Sequence, residues 1–275
     1  YWGRWVVKRV RSYFILGLLF GSALVMPVAY GVTLTTVIAG EQRQAEHKLR
    51  DKYRHPLQTL TFFDVRKNMT VVEIWPGSGW YSEILAPFLK EQGVLYLAHF
   101  SPDSKVPYFQ KSAQLFKAKI KADPLTYGAV HVTVLEPPEA LQIAPKGTVD
   151  RVLTFRNIHN WMKSGQLPTV LAAIFEVLKP GGILGVVEHR ETPGHILDSQ
   201  AVTGYVSENY LTTMAEAAGF KFLASADINA NPKDHHNHPA GVWTLPPRLK
   251  LLEQDREKYL SIGESDRMTI TFIKP

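Results

Sequence analysis

The sequence predicts an α/β fold, a parallel sheet with helices covering both faces. Three observations predict it. Short apolar runs rich in β-branched residues alternate with segments whose apolar residues recur at helical spacing, from Thr70 almost to the last residue. One stretch, Thr70-Val71-Val72-Glu73-Ile74-Trp75-Pro76-Gly77-Ser78-Gly79-Trp80-Tyr81, holds a strand, a glycine turn and the start of a helix. Polar and aromatic residues also gather in the segments after the expected strands, at the sheet edge where such folds bind ligands.

The elements follow in order. Val71, Val72 and Ile74 make the first strand, broken at Pro76-Gly77. Glycines let the backbone turn sharply and approach a ligand, and the free N–H groups of the following helix point to the same place. Glu73 adds an acceptor for a cationic or hydroxylated ligand. Ser82 stands where a third glycine would complete G-x-G-x-x-G, which disfavours a dinucleotide dehydrogenase. A tight connection with no ligand is the alternative reading of Gly77 and Gly79. Helical spacing covers residues 81–90 and stops at Gly93; 94–98 is a second strand, 107–123 an amphipathic basic helix, and 130–135 a third strand. The stiff loop Glu136-Pro137-Pro138-Glu139 precedes a fourth strand at 149–155, a helix at 167–178 and a fifth strand at 183–187. A helix at 208–218 and strands at 220–228 and 268–273 complete the series.

A chain of 275 residues suits one α/β domain with additions. The net charge is +6, but Arg4, Lys8, Arg9 and Arg11 precede the first apolar run; 31 basic residues less these four leaves 27, against 25 acidic. The body is therefore close to neutral, and charge argues against nucleic acid as a partner. The absence of cysteine excludes disulfides, thiolate metal sites and cysteine nucleophiles.

Three regions are expected. Residues 1–40 read as a signal peptide or membrane anchor, because a basic cluster abuts an uncharged run that reaches Glu41. Either form has this segment contact membrane or secretion machinery and puts the body outside the cytoplasm, periplasmic or membrane-anchored. A reporter active only outside the cytoplasm, fused after Pro275, should be active; activity of a cytoplasm-only reporter would reverse that topology. Residues 41–69 read as a polar linker and helical extension, and 70–275 as the main domain. His55, before Pro56, suits a capping or packing role more than a catalytic one.

Acid-x-x-x-Gly-x-Gly after a strand, the Leu178-Lys179-Pro180-Gly181-Gly182 turn before another, Arg156-Asn157-Ile158-His159-Asn160-Trp161, Glu188-His189-Arg190 and Gly241-Val242-Trp243-Thr244-Leu245-Pro246-Pro247 together carry a resemblance. From about Arg54 to Pro275 the chain resembles the class I S-adenosylmethionine-dependent methyltransferases, closest to a family of bacterial methyltransferases with signal-like leaders. The resemblance implies a Rossmann-like seven-stranded sheet with its last strand antiparallel, binding S-adenosylmethionine over the glycine turn. It assigns Glu73, Pro76, Gly77, Gly79, Trp80 and Tyr81 to the cofactor loop, and Asn157 and Ile158 to the methionine side. An acid normally follows the second strand to hold the ribose; here Ala98-His99-Phe100 occupies that place. His99 becomes the candidate there, and Glu139, with Glu136 close behind, the candidate on the adenine side.

Methyl transfer to a small-molecule acceptor often needs a base. His159 and His189 are the candidates, since they follow the fourth and fifth strands and imidazole exchanges a proton near neutral pH. Glu188 or Arg190 would orient the acceptor. Trp80, Tyr81 and Trp161 would cage a sulfonium by cation–π attraction or pack in the core. The Asp234-His235-His236-Asn237-His238 loop offers metal-ligand chemistry, but lies between Pro232 and Pro239 as solvated loops do, and no metal is assigned. Residues 241–247 form a lid or pack on the sheet. The competing class is a ligand-binding or structural protein that keeps the fold without the chemistry, which the missing acid after the second strand favours.

Overall fold

The β-branched runs become seven strands: β1 (Thr70–Ile74), β2 (Val94–His99), β3 (His131–Val134), β4 (Val149–Phe155), β5 (Leu178–His189), β6 (Lys221–Ala226) and β7 (Arg267–Ile273). The computed structural model describes residues 1–3, 31–195 and 198–275. They form one sheet in the order β3-β2-β1-β4-β5-β7-β6. β1 to β5 pair in parallel, while β7 runs antiparallel to β5 and β6. Strand order reverses between β1 and β4, which opens a crevice beyond their carboxyl ends. The turn expected at 178–182 is absorbed into β5 as an irregularity: pairing with β4 passes from Leu178 to Ile183 while β4 advances only from Val149 to Arg151.

The helices are α1 (Leu34–Ala39), α2 (Ala45–Lys48), α3 (Asp51–Arg54), α4 (Pro56–Phe62), α5 (Ser82–Leu89), α6 (Pro107–Ala122), α7 (Pro124–Tyr127), α8 (Ile158–Lys163), α9 (Leu167–Val177), α10 (Glu208–Ala217) and α11 (Arg256–Ile262). Two apolar layers sandwich the sheet. One joins Val72, Val152 and Leu184 to Trp161, Leu171 and Leu211; the other joins Val71, Leu97 and Leu153 to Leu60, Phe63, Ile84 and Leu85. Each fully buried Leu or Phe in these layers contributes about 1.5–3 kcal/mol. Gly185 in β5 is bare because Phe63 lies against it: a Cβ there would meet the ring at 2.8 Å.

Residues 41–69, expected as a polar linker and helical extension, are largely helical. They fold into α2 to α4 against the body, with Arg43, His47 and Arg54 buried. Two of these buried side chains are partnered rather than solvated. Arg43 donates to both Asp51 oxygens at 2.6 and 2.8 Å, and His47 Nδ1 lies 2.9 Å from Glu83. The expected 1–40 segment also ends differently, since α1 packs on α5 and buries Val37. The rest of that leader or anchor reading, residues 4–30, lies outside the described residues. Among the described residues no helix is long and apolar enough to cross a membrane.

Candidate active site

A cavity of about 800 Å³ opens at the carboxyl end of the sheet, over the switch point between β1 and β4. Its floor is the glycine turn: Glu73, Trp75, Pro76, Gly77, Trp80 and Tyr81 all line it. Gly77 sits at φ 60°, and a Cβ there would meet nothing within 4 Å. Gly79 faces away: its Cβ would meet Phe116 at 3.0 Å, so this glycine closes the turn onto α6 rather than facing a ligand. Trp75 holds φ 46°, a conformation a bulky residue adopts at a cost of order 1–3 kcal/mol. Its indole N–H donates to Leu135 O at 2.9 Å, and its ring packs on Phe100 at 4.6 Å between centroids. With Phe109 stacked on Phe100, these rings make one aromatic wall.

Glu73 is buried at the end of β1, and the Ser82 hydroxyl donates to it at 2.6 Å. Burial raises its pKa to about 7, with Ser82, Lys119 and Arg54 opposing the rise. Asn157 spans the switch point, donating to Ile74 O at 3.0 Å and to Thr154 Oγ1 at 3.1 Å.

His159 is the second residue of α8 and lies against Glu188 at the end of β5. Glu188 is fully buried. One of its oxygens accepts from the Ile158 N–H at 2.7 Å; the other accepts from the His189 N–H at 2.8 Å and from His159 Nδ1 at 3.0 Å. The Glu188 oxygen suits the tautomer that donates through Nδ1, which leaves the Nε2 lone pair for the cavity that His159 lines. His189 also lines the cavity, its ring centroid 5.5 Å from that of His159. Burial, the neighbouring His159 and the nearby arginines push its pKa well below the ordinary histidine range, and its Nδ1 lies 2.5 Å from Ser265 Oγ. His159, Glu188 and His189 also meet the spacing for a metal site. Glu188, however, already receives several donors, so its lone pairs are taken.

No family model matches the sequence, and no curated protein matches it. Solved structures resemble it in shape. A SAM-dependent methyltransferase from Aquifex aeolicus aligns over 89% of this chain and 100% of its own, at 16% identity and TM-score 0.56. The [4+2]-cyclase SpnF aligns over 88% and 92%, at 17% identity and TM-score 0.54. Phosphoethanolamine N-methyltransferase 2 of Haemonchus contortus, in complex with S-adenosyl-L-methionine, aligns over 81% and 53%, at 12% identity and TM-score 0.54. The chain has a class I methyltransferase fold. At these identities the likeness is one of fold, and SpnF is described as a cyclase, so the chemistry must be argued from the site.

On this methyltransferase fold the expected site residues divide. Glu73, Pro76, Gly77, Trp80, Tyr81, Asn157, His159 and His189 line one cavity. Gly79, His99, Glu139 and Ile158 are not among its lining residues. His99 is buried: its Nδ1 accepts from the Phe100 N–H at 2.7 Å, and Nε2 donates to Gly77 O at 3.4 Å. Burial lowers its pKa to about 4, so it braces the glycine turn as a neutral ring. Ile158 is core, and only its N–H is used, on Glu188. Glu139 is exposed because the loop folds back on itself between Glu136 and Ala140; Glu136 is the acid that lines the cavity, accepting from Ser101 N–H at 2.9 Å and Ser104 Oγ at 2.5 Å.

The aromatic and loop candidates divide as well. Trp80 carries the guanidinium carbons of Arg43 and Arg54, each 4.8 Å from its ring, so its π-system already serves two cations. Tyr81 stacks on Phe155 at 3.5 Å, and Trp161 is fully buried. His55, half-buried at φ 40°, joins α3 to α4. Arg190 pairs with Asp266 and Asp227, away from the cavity. In the histidine-rich loop, Asp234 is a hub for Tyr205 and His238, while His236 meets Thr192 and Asp266. Val242, Trp243, Leu245, Pro246 and Pro247 wall the cavity.

Charge patterning missed Arg50 and Arg54, which line the cavity from the expected linker. Their i,i+4 spacing on α3 and its leading residue was the available signal.

Proposed function

We propose that this protein transfers a methyl group from S-adenosylmethionine to a small-molecule acceptor, with His159 as the base. The carrying observation is the Glu188–His159 pair at the edge of a cavity on a methyltransferase fold. The cavity fits the cofactor on three counts: its volume, the bare Gly77 at a positive φ, and the acids Glu73 and Glu136 in its lining. Glu73, Pro76, Gly77 and Asn157 would hold the methionine side, and Glu136 with the Trp75–Phe100 wall the nucleoside side. When bound, S-adenosylmethionine supplies an electrophilic methyl group and leaves as S-adenosylhomocysteine. Nε2 of His159 takes the proton that the acceptor loses, and Glu188 stabilises the resulting imidazolium while fixing the ring. His189 suits this role less, because its surroundings oppose a positive charge. The base pair also favours catalysis over a ligand-binding protein that has lost its chemistry.

Calorimetric titration with S-adenosylmethionine, then transfer of a labelled methyl group into a metabolite extract, tests the reading. Saturable binding and label in a product are expected; no binding would overturn it. The titration should also depend on pH. With its pKa raised to about 7, Glu73 holds its proton below that pH, and the proton's contribution to stability is lost as pH rises through 7. Above it the bare carboxylate attracts a cation. Affinity should therefore rise between about pH 6 and 7.5, and Glu73→Gln should flatten the curve. An equally steep curve in Glu73→Gln would remove Glu73 from cofactor binding.

A further inference from the structure

We propose that the methyl acceptor is an acid, a carboxylate or phosphate compound whose oxyanion docks on Arg50, Arg54 and Arg156. This rests on the methyltransferase reading above and names the substrate class for the same cavity. All three arginines line it. Arg54 is 4% exposed, yet its Nε and Nη2 find no hydrogen-bond partner among the described residues, and neither does Nη2 of Arg50. Glu264 is the acid that serves this group, and it is shared. Arg50 Nε lies 2.6 Å from it, Arg267 Nη1 3.2 Å and Arg54 Nε 3.5 Å. Arg267 is satisfied elsewhere, through Ser265 O and Tyr53 O. Arg156 joins the cluster from the bend between β4 and α8, at φ 62°.

Three cavity-lining guanidiniums thus face one carboxylate. Burial and mutual repulsion pull the pKa of Arg54 well below its usual value and lower that of Arg156. Burial alone would raise Glu264, but Arg267, Arg54 and Arg50 hold it at about 2, so it is already fully ionised and has no further charge to give. Glu188 is taken up by backbone and His159 donors, and Glu73 keeps its proton up to about pH 7. Buried guanidinium donors without partners are costly, and a planar or tetrahedral oxyanion supplies the paired acceptors that they lack. His159 lines the same cavity, so an acceptor held by its acid group shares that space with the base.

The rival occupant is the carboxylate of the cofactor itself, and the experiment separates the two. The full-length protein is titrated by calorimetry with inorganic phosphate and, separately, with succinate, each with and without saturating S-adenosylhomocysteine. At least one anion should bind with S-adenosylhomocysteine in place, and which one tells phosphate from carboxylate acceptors. That binding should weaken roughly 10-fold or more in Arg54→Gln and Arg156→Gln, while affinity for S-adenosylhomocysteine changes less than about threefold. A thermal melt of each variant separates lost folding from lost binding; if Arg54→Gln fails to fold, Arg156→Gln decides. Displacement of the anion by S-adenosylhomocysteine, binding of neither anion, or full anion affinity in Arg156→Gln overturns the proposal. Should S-adenosylhomocysteine itself not bind, the methyltransferase reading fails, and the anion titrations without it still decide whether the arginines form an oxyanion site.

Discussion

Replacing His159 by alanine is expected to lower turnover by roughly 10²-fold or more while leaving affinity for S-adenosylmethionine nearly unchanged. The expectation follows from which ring nitrogen is engaged. Nδ1–H is fixed on Glu188 at 3.0 Å, so removing the ring removes a base and not a wall of the cofactor loop. Glu188→Gln tests the same pair from its other end. An amide oxygen can still accept from the Ile158 N–H, which sits 2.7 Å from the present carboxylate. It cannot stabilise an imidazolium, so turnover should fall and the pH at which activity appears should move. The rival account makes His159 a packing residue, tied to Trp243 at 6.1 Å between ring centroids. Loss of the ring would then lower the melting temperature and spare the rate. A destabilised His159→Ala protein with parental turnover assigns this residue to structure.

The strands were legible because central parallel strands are buried on both faces and read as near-continuous apolar runs. Val71 to Ile74 and Val152 to Leu153 are such runs, and each is almost fully buried. The clustering of His159 and His189 was legible too, since topology alone carries adjacent strand ends to one edge. What the sequence hid depends on side-chain direction and long-range partners. Glu136 and Glu139 are three residues apart in one loop, and only the fold-back at Ala140 decides which faces the cavity. His99 follows the second strand as a ligand residue would, but its ring turns onto the Phe100 N–H and Gly77 O. The segment from Glu41 to Asp51 reads as a solvated helix or linker because the partners of His47 and Arg50, which are Glu83 and Glu264, lie far along the chain. Trp75 and Arg156 adopt positive φ without being glycine, and no composition rule anticipates that.

Glu83→Ala should destabilise the protein by about 3 kcal/mol, in the lower part of the range for breaking a buried ion pair by removing one partner. Glu83 is fully buried in the first turn of α5. Its carboxylate accepts from Lys119 Nζ at 2.5 Å, His47 Nδ1 at 2.9 Å and the Gln44 N–H at 3.2 Å. Alanine would leave all three without their acceptor. At about 2–4 °C per kcal/mol for a domain of this size, the melting temperature should fall by roughly 6–12 °C. Burial alone would raise the pKa of Glu83, but hydrogen bonds from His47 and Lys119 hold it below the ordinary value. Its contribution to stability is therefore complete above the unfolded-state value of about 4.3 and disappears as pH falls through the folded one, so the gap between parent and variant should close in acid. The same two partners hold the glycine turn from behind. Lys119 Nζ also donates to Ser78 O at 2.8 Å, and His47 Nε2 lies 3.3 Å from Ser78 Oγ. Glu83→Ala should consequently weaken S-adenosylmethionine binding as well, although Glu83 does not line the cavity. Melts at pH 7 and in acid, with a cofactor titration of the same variant, check all three effects. A melting temperature within about 2 °C of the parent at pH 7 would mean that Lys119 and His47 find water in place of the carboxylate, and that the extension is held by its apolar contacts alone.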